Sequence, residues 1–391
     1  MLQLYGERRT RREWAQRSGH ISQFAAVRLC TLGDGPERGI RCLEFRTGTG
    51  LIFEVLIDRA FDIGRCEYNG AAIGWRSPTG LRHPGLHEHN DEGGLSWLRS
   101  FSGLMLTGGL DHTLLMGSEP AGHYHYAHRG TVESSIHGRI ANTPGRLVGY
   151  GERWDGDDCV LWCEGEVNQS AVFGEDLQLL RRIEARAGSN VFSVHDRVAN
   201  RGFYRTPHMY LYHINVGYPV LDEGSRYLAP VRHTIWASHA ESLRRQQVGY
   251  RTQPAPQAGF HEQVFEHALQ ADEDGRIPMA LVNPGFDGGR GLGLLVEIDR
   301  TEFPCQFQWQ NYQQGLYAMG IEPSTNHAPG KHFAQERGEL IWLEHGEERH
   351  YNTRFEVLDG QARIDALQQR IDRICRAPQD EFPVLTGRWN G

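Results

Sequence analysis

The sequence predicts an all-β protein, a large antiparallel β-sandwich with short peripheral helices. Apolar and polar side chains alternate with period two over long stretches, as in Val191–Ala199, where Val191, Ser193 and His195 oppose Phe192, Val194 and Asp196. The 391 residues include 47 glycines and 10% aromatic residues, a composition of many short strands joined by tight turns. Sustained helical spacing is convincing only near the end of the chain. Strands this numerous must fold back as stacked sheets to limit open edges.

Residues 1–25 read as a peripheral arm or short helix, with Leu4 and Trp14 among many arginines. Residues 42–60 are a hairpin with Thr47–Gly50 as its turn, because glycine supplies the positive φ such turns require. Residues 58–80 break short apolar pieces with turn chemistry, and 81–135 are loop-rich, with a short helix around Leu95–Ser102. Strands follow at Arg146–Tyr150, Cys159–Val167, Asp176–Ala187 and Val191–Ala199, with a turn at 188–190. Further strands are placed at Leu292–Ile298, Cys305–Gln310, Tyr317–Ile321, Leu340–Glu344 and Tyr351–Leu358. Residues 361–391 form a closing helix and tail, with Ile364, Leu367, Ile371 and Ile374 at helical spacing. No linker or repeat divides residues 26–360, which read as one domain.

The formal charge of -8, with both signs interspersed, leaves no nucleic-acid footprint. No apolar run reaches the length of a membrane span, and the first twenty residues lack the apolar core of a secretory signal. Seven cysteines, an odd number without CxxC pairs, point to reduced thiols and a cytoplasmic setting.

The richest stretch is Pro207–Ser225. Its alternation puts Met209, Leu211, His213 and Asn215 on one face and His208, Tyr210, Tyr212 and Ile214 on the other. Glu322 falls in Gly320-Ile321-Glu322-Pro323, where proline should end the strand. Trp309, Gln310, Asn311 and Tyr312 precede it closely, an aromatic platform with amides of the kind a sugar site needs. His137-Gly138-Arg139 and Gly108-Gly109-Leu110-Asp111-His112 each place glycines beside charged or imidazole groups, and each is weak alone. His123, His125, His128 and His137 form a histidine field in which an H-x-H metal pair could arise, although a wet loop explains it as well.

Together DRAFDIG, GWRSPTG, GLMLTGGLDHT, HGRIANTP, PHMYLYHINVGYPVLDEGS and MGIEPSTNHAPG, spanning residues 58–330, resemble the aldose 1-epimerase, or galactose mutarotase-like, superfamily. More narrowly they resemble its branch described as a domain of unknown function. The resemblance implies a single supersandwich. It implies His213 and Glu322 as the catalytic pair, with His137, Arg139, Asp111, His112, Asn215, Trp309 and Tyr312 as substrate contacts. Asp222 and Asp111 both stand as counterparts of the superfamily's substrate-binding aspartate. The partner implied is a small sugar or sugar acid, with no cofactor and no assigned metal ligand. The implied reaction is anomer interconversion, with Glu322 as carboxylate base at O1 and protonated His213 as acid at the ring oxygen. Metal-assisted isomerisation or lysis of a keto-sugar, and sugar binding without catalysis, are the alternatives. Exposed strand edges and the N-terminal arm make a homodimer compatible with the sequence.

Overall fold

A computed structural model describes residues 1–122, 124–378 and 380–389. Two antiparallel sheets face each other. The larger has eleven strands. Across it run Val231–Ala237, Gln263–Leu269, Cys305–Asn311, Ala318–Ser324, Leu211–Val216, Met105–Gly108, Asp62–Tyr68, Leu51–Leu56, Arg41–Arg46 and Ala26–Thr31, with the short Ala71–Ala72 paired to Asp62–Tyr68. The five that carry the site are, in chain order, β1 (Met105–Gly108), β2 (Leu211–Val216), β3 (Gln263–Leu269), β4 (Cys305–Asn311) and β5 (Ala318–Ser324). They lie side by side as β3-β4-β5-β2-β1. The second sheet has eight strands, in the order Arg146–Asp155, Asp158–Ser170, Asp176–Arg186, Val191–Asn200, Glu348–Asp359, Leu292–Asp299, Arg276–Asn283 and Arg226–Leu228.

The alternation that predicts the strands also builds the core. Phe45 and Phe53 of the larger sheet stack at 4.7 Å, Phe53 meets Phe192 of the other sheet at 4.4 Å, and Phe192 meets Phe355 at 4.6 Å. This aromatic column crosses the gap between the layers.

A buried polar knot crosses it nearer the site. Arg181 donates to Asp196 (2.8 and 2.6 Å), to Asp62 (2.9 Å), to Thr107 Oγ1 (2.9 Å) and to Tyr210 Oη (3.1 Å). Tyr210 Oη donates to Asp196 at 2.6 Å, and Tyr212 Oη also donates to it. A buried guanidinium is tolerated only with such complete pairing. The knot fixes the inner face of β2, so its outer face, which carries His213, is held too.

Two expectations change. The first residues form a small hairpin, Leu2–Leu4 with Glu7–Arg9, before a short helix at Arg11–Ala15, whose start Thr10 and Glu13 cap reciprocally. Pro323 does not end its strand, because β5 runs on to Ser324. Opposite β4 the pairing is continuous through Gln306↔Pro323. Opposite β2 the bridges skip Glu322 and Pro323, where the proline nitrogen has no hydrogen to give.

The region around Leu95–Ser102 holds a 3₁₀ helix, Ser96–Ser100. The last helix spans Gln361–Ile374 and packs Ile364, Leu367 and Ile371 on Leu228, Ala280, Val282, Leu295 and Leu358 of the eight-stranded sheet. None of the described helices is long and apolar enough to cross a membrane. All seven cysteines are free.

Candidate active site

Strand register assembles the site on the outer face of the larger sheet. In β5, Gly320 and Glu322 share a face. The pairs Leu211↔Ser324 and Ile214↔Ile321 bracket His213 opposite Glu322. Glu322 pairs with Phe307, and Phe307 in turn with Glu266. One row therefore crosses four strands: His213, Glu322, Phe307, Glu266. The next row holds Asn215, Gly320, Trp309 and Val264.

Above the first row opens a pocket of about 800 Å³, floored by His213, Glu322, Phe307 and Trp309. Its walls are largely aromatic. His213 lies 4.7 Å from Phe101, 5.2 Å from Trp309 and 5.7 Å from Trp97, centroid to centroid. Trp75, Ser77, Pro78 and Thr79, from the GWRSPTG stretch, line another side. Among the described residues no arginine or lysine lines it.

The two central groups meet: His213 Nε2 is 3.1 Å from Glu322 Oε1, and each residue is only 4% exposed. Burial drives the His213 imidazole well below its ordinary pKa. The neighbouring His137 pushes the same way, and the Asn215 amide opposes without forming a hydrogen bond to the ring. Burial, with the Glu262 charge, drives the Glu322 carboxyl well above its ordinary value. Both shifts favour the uncharged forms, the Glu322 carboxylic acid and the His213 imidazole. Trp97 Nε1, His137 Nδ1, His213 Nδ1 and Glu322 Oε1 are buried without an aligned hydrogen-bond partner, a concentration of unmet polar atoms that an inert core avoids.

Two weak motifs prove to be one junction. Gly109 and Gly138 pair as a bridge, and a β-carbon on Gly138 would stand 2.4 Å from the His112 carbonyl oxygen and 2.5 Å from that of Gly109. Gly138 has φ +76°, so glycine is required twice over. The junction sets the His137 ring 4.7 Å from Trp97 and 5.4 Å from His213, with its pKa lowered to about 3 by burial and by His112.

Of the predicted contacts, His213, Glu322, His137 and Trp309 line the pocket, and five do not. Arg139 points back to the Glu133 carbonyl oxygen (3.3 Å). Asp111 accepts from Gln169 Nε2 at 2.6 Å, and His112 Nε2 contacts the Leu115 carbonyl oxygen at 2.8 Å; both belong to the buried side of the junction. Asn215 shares the face of His213 but lies fully buried, its amide donating to the carbonyl oxygens of Gly103 and His213. Tyr312 follows the end of β4 at an odd offset from Trp309, and its hydroxyl donates to Gln253 Oε1. Asp222, half-buried, caps its own turn with Ser225 and Glu223.

Glu262 was missed. It lines the pocket and accepts from Trp309 Nε1 at 2.9 Å, and its place just ahead of β3 in a polar loop gave no signal. His123 lies outside the described residues. His125 stacks on Tyr204 and His128 sits beside Tyr126, so the described part of the histidine field does not converge. Among the described residues the one group able to hold an ion is elsewhere: Glu266, Cys305 and His327.

Comparison with solved structures shows the same fold. A Klebsiella pneumoniae protein proposed to be an aldose 1-epimerase is 26% identical, with a TM-score of 0.79 over 93% of this chain and 91% of that one. A galactose mutarotase-like protein from Clostridium acetobutylicum, 11% identical, gives a TM-score of 0.57 over 85% and 98%. The Slr1438 protein of Synechocystis, 15% identical, gives 0.54 over 84% and 99%. No functionally curated protein matches the sequence. A family model matches residues 37–357, most of the chain, and the protein therefore belongs to the family described as Domain of unknown function (DUF4432), on a galactose mutarotase-like fold.

Proposed function

We propose that the pocket binds a neutral aldose and interconverts its anomers by acid–base ring opening. The observation that carries this is the buried His213–Glu322 contact at the floor of an aromatic pocket. The Klebsiella protein's own proposed activity agrees with it. The directions of the two shifts favour the reverse of the roles expected from sequence. Neutral Glu322 gives its proton to the ring oxygen as the C1–O5 bond breaks, and neutral His213 takes the proton of the anomeric hydroxyl as the C1 carbonyl forms. Rotation about C1–C2 presents the other carbonyl face. Closure then returns the His213 proton to O1 while Glu322 recovers its own from O5. Two protons move and both return, so acid and base are restored after each turnover.

Trp309, Trp75 and Trp97 offer platforms for the apolar face of a sugar, and Glu262, Asn311, Ser77 and Thr79 offer hydroxyl partners. A sugar acid is disfavoured, because its carboxylate would enter a buried site without an arginine or lysine to pair with.

The test is NMR anomer-exchange spectroscopy on a panel of neutral aldoses with the matching uronic acids as a separate arm. Accelerated exchange of at least one neutral sugar is expected. Saturable sugar binding without exchange would replace this reading with a binding protein.

A further inference from the structure

We propose that Glu266, Cys305 and His327 form a binding site for a zinc-class divalent ion at the rim of the pocket. Three chain segments deliver the donors: Glu266 from mid-β3, Cys305 from the start of β4 and His327 from the loop after β5. Their ligand atoms all lie within 4.8 Å of one another.

The way they converge separates an ion site from a nucleophilic triad. A triad strings thiol, imidazole and carboxylate through both ring nitrogens, one for each partner. Here Cys305 Sγ lies 3.4 Å from His327 Nδ1, and Glu266 Oε1 contacts that same nitrogen. Thiol, imidazole and carboxylate thus face one point. Sulfur and nitrogen bound to one tetrahedral zinc stand roughly 3.5 Å apart, close to the separation found. The carboxylate sits closer in and would swing outward to admit an ion.

Charge supports the assignment. Glu266 is fully buried, yet among the described residues no lysine or arginine pairs with it, and its ion-pair partner is His327. Buried carboxylates call for a cation. Its other oxygen, Oε2, accepts from the Ala328 backbone N–H at 3.0 Å, the orienting contact that ligating carboxylates usually have. Mixed nitrogen, oxygen and sulfur donors suit zinc-class ions better than magnesium or calcium.

The site has an open side and a cover. Cys305 and Glu266 are buried, whereas the His327 side chain keeps 14% of its surface, leaving an approach for the ion and a fourth ligand. Trp389 lies over that approach, 5.2 Å from the His327 ring. The segment before it is tied down by Thr386 and Gly387, which donate to the carbonyl oxygens of Thr234 and Ile235. Glu266 and Glu322 occupy one row two strands apart, about 10 Å. The ion is therefore too distant to share the Glu322 carboxylate, and it would act on the far end of the pocket, where Val264, Phe307 and Ala328 line it.

The test is titration of chelator-treated full-length protein with Co²⁺, followed by absorbance, without sugar, so it stands apart from any anomer-exchange result. About one Co²⁺ per chain is expected, with a thiolate-to-metal band in the near ultraviolet that Cys305→Ser abolishes. His327→Gln alters a partly exposed side chain, so its fold should survive, and it should weaken binding at least ~100-fold. Absence of stoichiometric binding, or a band unchanged in Cys305→Ser or a titration unchanged in His327→Gln, would overturn the assignment.

Discussion

Gly320 stands two residues before Glu322 on one strand face, and a β-carbon on it would lie 2.7 Å from the Glu322 Oε1 that meets His213. The same atom would be 3.0 Å from Trp309 Cβ and 3.3 Å from His213 Cε1. Because the backbone there is ordinary strand, the space and not the dihedral demands glycine. Gly320→Ala is expected to fold with a small change in melting temperature while pushing acid and imidazole apart. A displacement near 1 Å costs up to ~100-fold in rate. Anomer-exchange rates beside thermal melts check this, and a parent-like rate in a folded variant would count against the pairing.

Glu322→Gln keeps the shape but cannot pass a proton back and forth. Anomer exchange should fall by about two to four powers of ten, while sugar affinity stays within a few-fold. Because burial favours the uncharged carboxyl, exchanging it for a neutral amide should leave the melting temperature at pH 7 nearly unchanged. Single-sugar binding isotherms and exchange rates on the same preparation separate these effects.

The directions of the two shifts set a pH profile. The rate should fall on the acid side only when His213 protonates, well below the ordinary imidazole value, and on the alkaline side only when the raised Glu322 carboxyl ionises. Activity at pH 6 should therefore match that at pH 7. A limb centred near 6.5 would show that His213 titrates as an ordinary exposed imidazole and would remove it as the resting base.

Fold stability should decline in acid for a separate reason. Burial lowers both His208 and His267 to about 4 from an ordinary value near 6.5. The unfolded chain takes up these protons first, so stability present above about 6.5 is lost as pH falls toward 4. Each group contributes a slope of up to ~1.4 kcal/mol per pH unit in that window. Urea unfolding at pH 7 and pH 5 measures it, and His267→Gln should flatten the slope by about one proton.

The sandwich was legible because alternation in strands such as Val191–Asn200 reflects one face turned to the core. The same alternation placed His213 and Asn215 together, although only His213 reaches the pocket. Trp309 and Tyr312 could not both follow from it, since three positions of offset put strand residues on opposite faces. Asn311, at an offset of two from Trp309, lines the pocket instead. Trp97 arrives from a short 3₁₀ helix, and Phe101, Glu262 and His327 from loops, whose paths no periodicity encodes. What joins them to the pair is tertiary register, which becomes visible only once the sheet is assembled.

The four-strand row through His213, Glu322, Phe307 and Glu266 restricts which length changes this family can accept. Loss or gain of a single residue within β2, β3, β4 or β5 would reverse the facing of every side chain beyond it, sending Glu322 inward and a core residue such as Ile321 outward. Changes by pairs of residues preserve parity and only slide one row past the next. Descendants of this chain should therefore diverge in length through their loops, and within these strands by even steps.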